Sequence, residues 1–197
     1  MGKTETYLTQ IRSELGALAR LVEAFPDGEA VKVVRMAETI AAALAEGRTV
    51  FTCGNGGSAA DAQHIAGELV GRFRHKERGY SASALTTNSS VVTSLANDFS
   101  FDEIFSRQLE SRGSAGDVLL ALSTSGVSPN VIRAVEAAKS LRMHAFAFSG
   151  KGGGRLAEVA ELAVIVPHDD FARIQEMHMA LGHILCGLVE EIVLSVK

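Results

Sequence analysis

The sequence predicts an α/β fold in which a parallel five-stranded sheet is flanked by helices and preceded by a helical N-terminal extension. The chain has 197 residues, of which 47% are hydrophobic, so it is long and apolar enough to bury a core. Short apolar runs alternate with helix-length segments, a pattern typical of a parallel sheet covered on both faces. The runs that we interpret as strands are Val50–Cys53, Ala82–Leu85, Val118–Leu122, Ala145–Phe148 and Ala163–Val166.

The N-terminal extension is expected to form two helices that carry no residue with obvious chemistry. Apolar residues recur there at steps of three and four, which places them on one helix face. The first helix is expected to stop near Pro26, and the second runs to Gly47. We interpret both as packing or oligomer surface. The apolar positions are Leu8, Ile11, Leu15, Leu18, Leu21, Val22 and Phe25, then Val31, Val34, Met36, Ile40, Ala43 and Leu44.

The rest of the chain continues the domain without a linker. A long last helix is predicted from about Phe171 to Val193. We therefore expect one domain over residues 1–197, with N-terminal helices over 1–47 and the α/β core over 48–197. In an open parallel sheet, ligands bind beyond the carboxyl ends of the strands. The loops that follow the predicted strands are thus the places to look for chemistry.

Composition and charge exclude several classes of protein. With 19 Lys and Arg against 23 Asp and Glu, the net charge is -4 and there is no basic run for nucleic acid. The two cysteines, Cys53 and Cys186, do not make a disulfide framework and fit a reducing cytoplasm. No apolar run reaches the roughly 18 residues that span a bilayer, and no signal peptide is visible. We expect a cytoplasmic protein with neither a nucleic-acid nor a membrane partner.

The loop after the first strand is rich in glycine. It reads Gly54, Asn55, Gly56, Gly57 and Ser58 and opens directly into a helix. Glycines let backbone amides approach a ligand, and a helix N-terminus favours an anionic or polyhydroxyl group. The spacing matches neither common nucleotide-binding pattern. A tight strand-to-helix turn would explain the same glycines, so both interpretations stay open.

The loop after the third strand is rich in hydroxyl groups. Ser128 is a good helix N-cap and Pro129 a good first helical residue, so a structural role accounts for these two. The hydroxyls of Ser123, Thr124 and Ser125 have no such explanation. Clustered hydroxyls beside a helix N-terminus suit a phosphate monoester held by neutral donors and the helix dipole. This interpretation is favoured over a purely structural turn.

Two helices carry possible zinc ligands. His64 and Glu68 are four residues apart, hence on one face of the helix that opens at Ser58. Gln175 and His183 are eight apart on the last helix, about 80 degrees around its axis. Imidazole and carboxylate are zinc ligands, but such pairs also arise by chance on amphipathic helices. Sequence spacing does not show whether the two helices meet.

Asn97 and Asp98 also have two possible roles. They could cap the helix that contains Ile104 and Phe105. Asp98 could instead hydrogen-bond sugar hydroxyls. The spacing alone leaves both open.

Taken together, these residues resemble one family. The run from Asn55 to His64, Glu68, Asn97-Asp98, the run from Ser123 to Ser128, Arg173-Ile-Gln-Glu176 and His183 resemble the phosphoheptose isomerase family of sugar isomerase (SIS) domains. The match spans most of the chain. The resemblance implies a flavodoxin-like SIS fold and a homotetramer with active sites between subunits. It also implies an aldose-ketose isomerase that converts sedoheptulose 7-phosphate to D-glycero-D-manno-heptose 7-phosphate, the first step of nucleotide-activated heptose synthesis for lipopolysaccharide, capsule or S-layer glycans.

The resemblance also implies roles for individual residues. Phosphate falls on Ser123, Thr124, Ser125 and Ser128, and sugar contacts fall on Asn55, Gly56, Gly57, Asn97 and Asp98. One Zn²⁺ per active site falls on His64, Glu68, Gln175 and His183, of which Glu68 and Gln175 also touch substrate. Glu68 and His183 match the family's acid/base pair. Because a zinc-bound carboxylate is a poor base, either Glu68 leaves the metal when substrate binds or the metal is structural in the resting state.

Another class of protein resembles the chain less well. A related SIS-domain family, the initiator-associating proteins, shares the Arg-Ile-Gln-Glu segment but works as a tetramer that binds a replication initiator. The acid/base residues Glu68 and His183 favour the enzyme over this binding module. A phosphosugar-sensing regulator would need a DNA-binding segment, and none is visible.

Overall fold

Strands and helices alternate along the chain as predicted, after two N-terminal helices. The computed structural model describes residues 2–71, 73–75 and 79–195. The helices are α1 (Lys3–Glu23), α2 (Asp27–Ala45), α3 (Gly57–Val70), α4 (Ser89–Asp98), α5 (Ser106–Arg112), α6 (Pro129–Ser140), α7 (Gly154–Val159) and α8 (Phe171–Ser195). The strands are β1 (Val50–Gly54), β2 (Ala82–Ala84), β3 (Val118–Ser123), β4 (His144–Ser149) and β5 (Leu162–Ile165), and a 3-10 turn covers Phe101–Glu103.

The five strands form one parallel sheet in the order β2-β1-β3-β4-β5. This order confirms the predicted flavodoxin-like arrangement. The chain leaves β1 in one direction to form β2 and returns on the other side to form β3, so the order reverses between β1 and β3. In the register of these two strands Gly54 lies opposite Leu122. The glycine-rich and hydroxyl-rich loops therefore leave the same edge of the sheet side by side, where such folds bind ligands.

The central strands β1, β3 and β4 are buried on both faces, which explains why their apolar runs are continuous. Leu120 and Leu122 point to the face covered by α2, α3 and α8. Leu119 and Ala121 point to the opposite face, which α5, α6 and α7 cover. The side chains of successive strand residues alternate between these two cores, so neither face tolerates a polar run.

The first helix differs from the others because its apolar residues are largely exposed. Leu21 is its one buried residue among those described. Tyr7, Leu8, Ile11 and Leu15 are each about half exposed. The helix is tied to α8 by Arg173, whose guanidinium donates to the carbonyl and the carboxylate of Glu14. An apolar stripe of this kind is typical of a surface that another protein surface covers.

The last helix is the most apolar one that the structure describes by its average composition. By length and composition α8 could cross a membrane, with a mean hydropathy of 1.5 over the 18-residue window and 56% of that window buried inside the protein. Its uninterrupted apolar run is shorter than 18 residues, because Glu176 and Glu190 lie on either side of it. Packing against α2 and α3 accounts for its apolar residues, including Met177, Leu181 and Leu185.

Candidate active site

Two glycines of the loop after β1 are required by its backbone conformation and by a close contact with α8. Gly56 is the N-cap of α3 and has φ 55° and ψ -121°, a conformation that side-chain-bearing residues rarely adopt. A Cβ at Gly57 would collide with the side-chain amide of Gln175 on α8. The two glycines therefore serve the turn and the packing of α8 on α3. Both properties also leave backbone amides accessible at the start of α3.

The side chain of Asn55 links this loop to the next one. Its amide and that of Asn130 donate to each other's carbonyl oxygens, at 2.8 Å in both directions. Asn130 is buried in the first turn of α6, where its oxygen also accepts from the amide of Val131. Sequence reasoning missed Asn130, although its position directly after Pro129 was a signal. The pair fixes the spacing between the start of α3 and the start of α6.

The hydroxyl loop, Ser123–Ser128, gathers its serines into one cluster. The Ser123 hydroxyl lies 3.4 Å from that of Ser125 and 3.2 Å from that of Ser128. Ser123 accepts from the amide of Gly126 and Ser125 from that of Val127. Thr124 lies half-buried between them. The loop thus turns several hydroxyls toward a common point at the N-terminus of α6.

Ser128 departs from its expected structural role. It occupies the N-cap position of α6 and Pro129 follows at the first helical position, as predicted. Its side chain, however, makes no capping hydrogen bond. The expectation that capping accounts for the Ser128 hydroxyl was therefore wrong. This hydroxyl joins the cluster around Ser123, while the amide of Val131 in the first turn of α6 donates to Oδ1 of Asn130 instead.

His64, Glu68 and His183 form a second cluster, which we call the His–Glu cluster. Nε2 of His64 lies 2.8 Å from Nε2 of His183 and 3.1 Å from Oε1 of Glu68. One nitrogen or oxygen atom from each of the three residues lies within 4.8 Å of the others. The helices α3 and α8 approach closely because Gly182 has no side chain where Ile65 packs. The structure thereby brings together residues that lie more than a hundred positions apart.

The His–Glu cluster fits a metal ion by its donor set. Two imidazole nitrogens and one carboxylate oxygen are ligands that zinc accepts. Ligand atoms around a tetrahedral zinc are about 3.4 Å apart, since each sits roughly 2.1 Å from the ion. The distances of 2.8 and 3.1 Å around His64 are only slightly shorter. Small side-chain movements would therefore suffice to hold a cation there.

Gln175 does not lie with the His–Glu cluster inside one chain. Its amide packs against Gly57 and hydrogen-bonds the side chain of Asp61. Eight residues of helix separate it from His183, about 12 Å along the axis. Its assignment as a ligand stays a prediction.

Asp61 is a site residue that sequence reasoning missed. It is 5% exposed, and one of its carboxylate oxygens, Oδ2, has no partner among the described residues. Burial raises its pKa to about 6, while the hydrogen bond from Gln175 and the nearby His64 act in the opposite direction. Together with Gln175, Phe171 and Glu176 it lines an open cavity of about 480 Å³. Its place three residues before His64, on the same face of α3, was the available signal.

Asn97 and Asp98 are the last two residues of α4. The Asn97 amide donates to the Asp98 carboxylate at 2.9 Å, and both side chains are exposed. They do not cap the following segment, because Ser100 does so by accepting from the amide of Asp102. The capping interpretation was wrong. Their assignment as sugar contacts stays a prediction.

A second histidine of α8, His178, supports the hydroxyl loop from the core. It is fully buried, and its Nε2 lies 3.2 Å from the carbonyl of Ser149, which can only accept. Ser149 in turn donates its hydroxyl to the carbonyl of Ser123. Burial lowers the pKa of His178 to about 4, so the ring is neutral at pH 7. His178 is thus a structural histidine.

Comparisons with known proteins agree with this architecture. The family model of the SIS domain matches residues 15–150. The phosphoheptose isomerases of Rhodospirillum rubrum and Aquifex aeolicus are 49% and 47% identical over 83% and 94% of this chain, and over 87% and 97% of their own. The solved phosphoheptose isomerase of Neisseria gonorrhoeae superposes with a TM-score of 0.88 at 38% identity, covering 94% of this chain and 99% of that one. The chain therefore belongs to the SIS domain family and, within it, to the phosphoheptose isomerases.

Proposed function

We propose that the protein is an aldose-ketose isomerase that converts sedoheptulose 7-phosphate to D-glycero-D-manno-heptose 7-phosphate. The observation that carries this conclusion is the His–Glu cluster in a chain of this family. It brings a carboxylate, Glu68, and an imidazole, His183, within reach of one another. Isomerisation through an enediol needs these two kinds of group, a base beside the carbon and an acid beside the oxygen.

In this mechanism Glu68 and His183 divide the proton transfers. The Glu68 carboxylate takes a proton from C1 of the ketose, and the electron pair forms the double bond of the enediol. His183 gives a proton to the carbonyl oxygen at C2 and takes one from the hydroxyl at C1. Glu68 then returns its proton to C2, which completes the aldose. Both residues end the cycle in their starting protonation states.

The substrate is held by the two loops at the sheet edge. The hydroxyl loop would bind the phosphate through Ser123, Thr124, Ser125 and Ser128. The helix dipole of α6, whose N-cap Ser128 makes no side-chain capping hydrogen bond, favours the same anion. We assign Asn55, Gly56 and Gly57 to the sugar, with Asn97 and Asp98 as further sugar contacts. Hydroxyl and amide donors suit this task because they bind the phosphate by hydrogen bonds, without a positively charged side chain.

One Zn²⁺ per active site is proposed on His64, Glu68 and His183, with Gln175 as a further ligand. When bound, zinc supplies Lewis-acid polarisation of a substrate oxygen. The Gln175 side chain packs at Gly57, about 12 Å along α8 from His183, so we propose that a neighbouring copy supplies this ligand. Because a zinc-bound carboxylate is a poor base, either Glu68 leaves the metal when substrate binds or the metal is structural in the resting state, and His183 acts as the acid only while its nitrogen is not held by zinc.

We propose a homotetramer in the cytoplasm, with active sites at subunit interfaces. The exposed apolar stripe of α1 supports association between copies. The partial exposure of His64 and Glu68, 45% and 24% of their side chains, leaves room for a second copy beside the cluster. The two free, buried cysteines support a reducing compartment.

The alternative, a tetramer that binds a replication initiator without catalysis, is not favoured. It would not require a carboxylate and two imidazoles to meet between α3 and α8. The relatives that match over nearly the whole chain are isomerases by name.

The test is turnover of the pure protein. We expect sedoheptulose 7-phosphate to be converted to the aldose until equilibrium is reached. The conversion is monitored by ¹³C NMR of the C1 and C2 carbons. A ketohexose phosphate serves as the control for chain length. If the protein converts no substrate with or without added zinc and binds a replication initiator tightly, the non-catalytic alternative is favoured instead.

A further inference from the structure

The imidazole of His183 is covered on one side by an aromatic ring. Phe73, which follows α3, stacks on it with ring centroids 5.5 Å apart and planes inclined by 16°. His64 meets the same imidazole edge-on at 4.9 Å and 75°. The stacked ring restricts rotation of the His183 imidazole about its χ2 bond, which is otherwise a soft torsion. The direction of its Nε2 atom toward His64 thus depends on where Phe73 sits.

The backbone at Phe73 is in turn anchored by a buried carboxylate on α8, the helix that carries His183. Glu190 is 5% exposed and accepts the backbone amides of Phe73 at 2.9 Å, Arg74 at 2.8 Å and His75 at 3.3 Å. Three backbone donors satisfy a carboxylate that would otherwise be costly to bury. Glu190 lies seven residues after His183, which places both on one face of α8. One helix face therefore holds both the imidazole and the anchor of the ring that covers it.

Gly187 lies between these two residues on the same stretch of α8. A Cβ at this position, one turn after His183, would be at an ordinary contact distance of 3.4 Å from Cε1 of Phe73. The Phe73 ring therefore lies beside this turn of α8. The guanidinium of Arg74 lies 5.1 Å from the centroid of the same ring. His183, Gly187 and Glu190 together form a seat whose shape fits an aromatic side chain.

We propose that Phe73 is a positioning residue for His183, held in place by Glu190. It touches neither substrate nor metal in this proposal and acts by fixing the imidazole plane from which His183 serves the His–Glu cluster. The inference rests on the proposed function of His183. Residues that orient a ligating or catalytic histidine typically change metal affinity or activity by 10- to 100-fold when replaced.

The experiment compares Phe73→Leu with Phe73→Tyr, which keeps the ring. The control is Phe25→Leu, the same change at another partly buried phenylalanine that packs on the same core between α1 and α2. Zinc is titrated into metal-free protein by calorimetry. We expect the zinc Kd to weaken about tenfold in Phe73→Leu and to stay near wild type in Phe73→Tyr and Phe25→Leu. We also expect kcat to fall about tenfold with little change in KM, because substrate contacts are kept.

A second pair of variants tests the anchor. Glu190→Gln turns a side-chain amide donor toward backbone donors, so the seat loosens and zinc affinity falls in the same direction. Glu191→Gln, at an exposed neighbouring position, should change nothing. Folding of each variant is checked by circular dichroism, and the His183 imidazole resonance is followed in the metal-free protein. We expect it to shift and broaden in Phe73→Leu and to recover in Phe73→Tyr.

The outcomes separate this inference from the proposed function. If folded Phe73→Leu keeps the wild-type zinc Kd, kcat and imidazole line width, Phe73 only packs and the inference is overturned. If the wild-type protein neither binds zinc nor isomerises its substrate, the proposed function fails. In that case the line width of the His183 resonance still decides whether Phe73 orients the ring.

Discussion

The hydroxyl loop and the His–Glu cluster are built in opposite ways. The loop grows out of a buried strand end: Ser123 is 5% exposed, and Ser149 beneath it is fully buried and bonded to its carbonyl. The cluster lies between two helices, and the side chain of His64 is 45% exposed. The first is held by buried hydrogen bonds within one chain, whereas the second relies on contacts among partly exposed side chains. If the proposed roles are correct, the phosphate end of a substrate meets a preformed site and the reacting end meets one that other groups complete.

The largest effect is expected from Glu68→Gln, which breaks the cluster's chemistry and keeps its shape. Because the amide is not a base, kcat should fall by about 10² to 10⁴ with only a modest change in KM. Steady-state kinetics with sedoheptulose 7-phosphate measure both. Glu158→Gln, an exposed glutamate paired with Arg155, is the matched control. Turnover near wild type would remove Glu68 as the base.

Zinc content tests whether the cluster binds a metal. We expect the wild-type protein to hold zinc stoichiometrically, and His64→Ala and His183→Ala to lower its affinity by tenfold or more, since each removes one ligand. Metal analysis after dialysis against a weak chelator gives the result. His144→Ala, at the opposite end of the sheet beside Glu161, controls for surface imidazole. Unchanged zinc in both cluster variants would leave these histidines as acid/base groups without a metal.

Removing hydroxyl groups from the hydroxyl loop should raise KM. In Ser123→Ala with Ser125→Ala, two hydrogen bonds to a charged phosphate are lost, each worth roughly 1.5 to 3 kcal/mol. KM should therefore rise at least tenfold while the fold is kept. Ser111→Ala with Ser140→Ala removes two hydroxyls that bond only to their own helices and serves as control. A double mutant with wild-type KM and wild-type inhibition by phosphate analogues would make the loop a mere turn.

The smallest effect concerns the support beneath the loop. The folded pKa of His178 is about 4 against an ordinary value of 6.5, so below pH 6.5 the unfolded chain takes up a proton that the folded chain refuses. Stability should thus fall by up to about 3 kcal/mol as pH drops from 6.5 to 4. Asp61 has a raised folded pKa, so its contribution to stability increases as pH falls from about 6 to 4. This opposite contribution is the same in the wild-type protein and in the His178 variant.

Urea unfolding at pH 7.5 and 5 measures the His178 effect. His178→Gln keeps a donor for the carbonyl of Ser149 and cannot take up a proton. Its stability should depend less on pH than that of the wild-type protein. An equal loss in both proteins between these two pH values would assign the acid sensitivity to other groups.

Features built from consecutive residues could be predicted from the sequence, whereas features built from distant residues could not. The strands and the hydroxyl loop come from consecutive residues, so apolar runs and the spacing of Ser123 and Pro129 predicted them. The N-terminal helices and α8 were also placed to within a few residues. The resemblance to phosphoheptose isomerases, carried by motifs from Asn55 to His183, is confirmed by the relatives.

What the sequence could not supply is the meeting of distant residues. His64 and His183 lie on different helices, and their contact depends on the packing at Gly182 and Ile65, which no local pattern encodes. Asp61 and Asn130 were missed because their roles arise from burial against partners elsewhere in the chain. Gln175 is still open: its side chain packs at Gly57, about 12 Å along α8 from His183, and its role as a ligand stays a prediction.

The most direct test of the isomerase mechanism is solvent exchange during turnover. Wild-type protein is incubated with sedoheptulose 7-phosphate in D₂O, and both sugars are analysed by ²H NMR and mass spectrometry. The account predicts deuterium at C2 of the aldose and at C1 of recovered ketose, because an enediol lets the proton held by Glu68 exchange with solvent. It also predicts that Glu68→Gln loses turnover and exchange together. Turnover without any deuterium in either sugar, accompanied by near-normal turnover of Glu68→Gln, would contradict it.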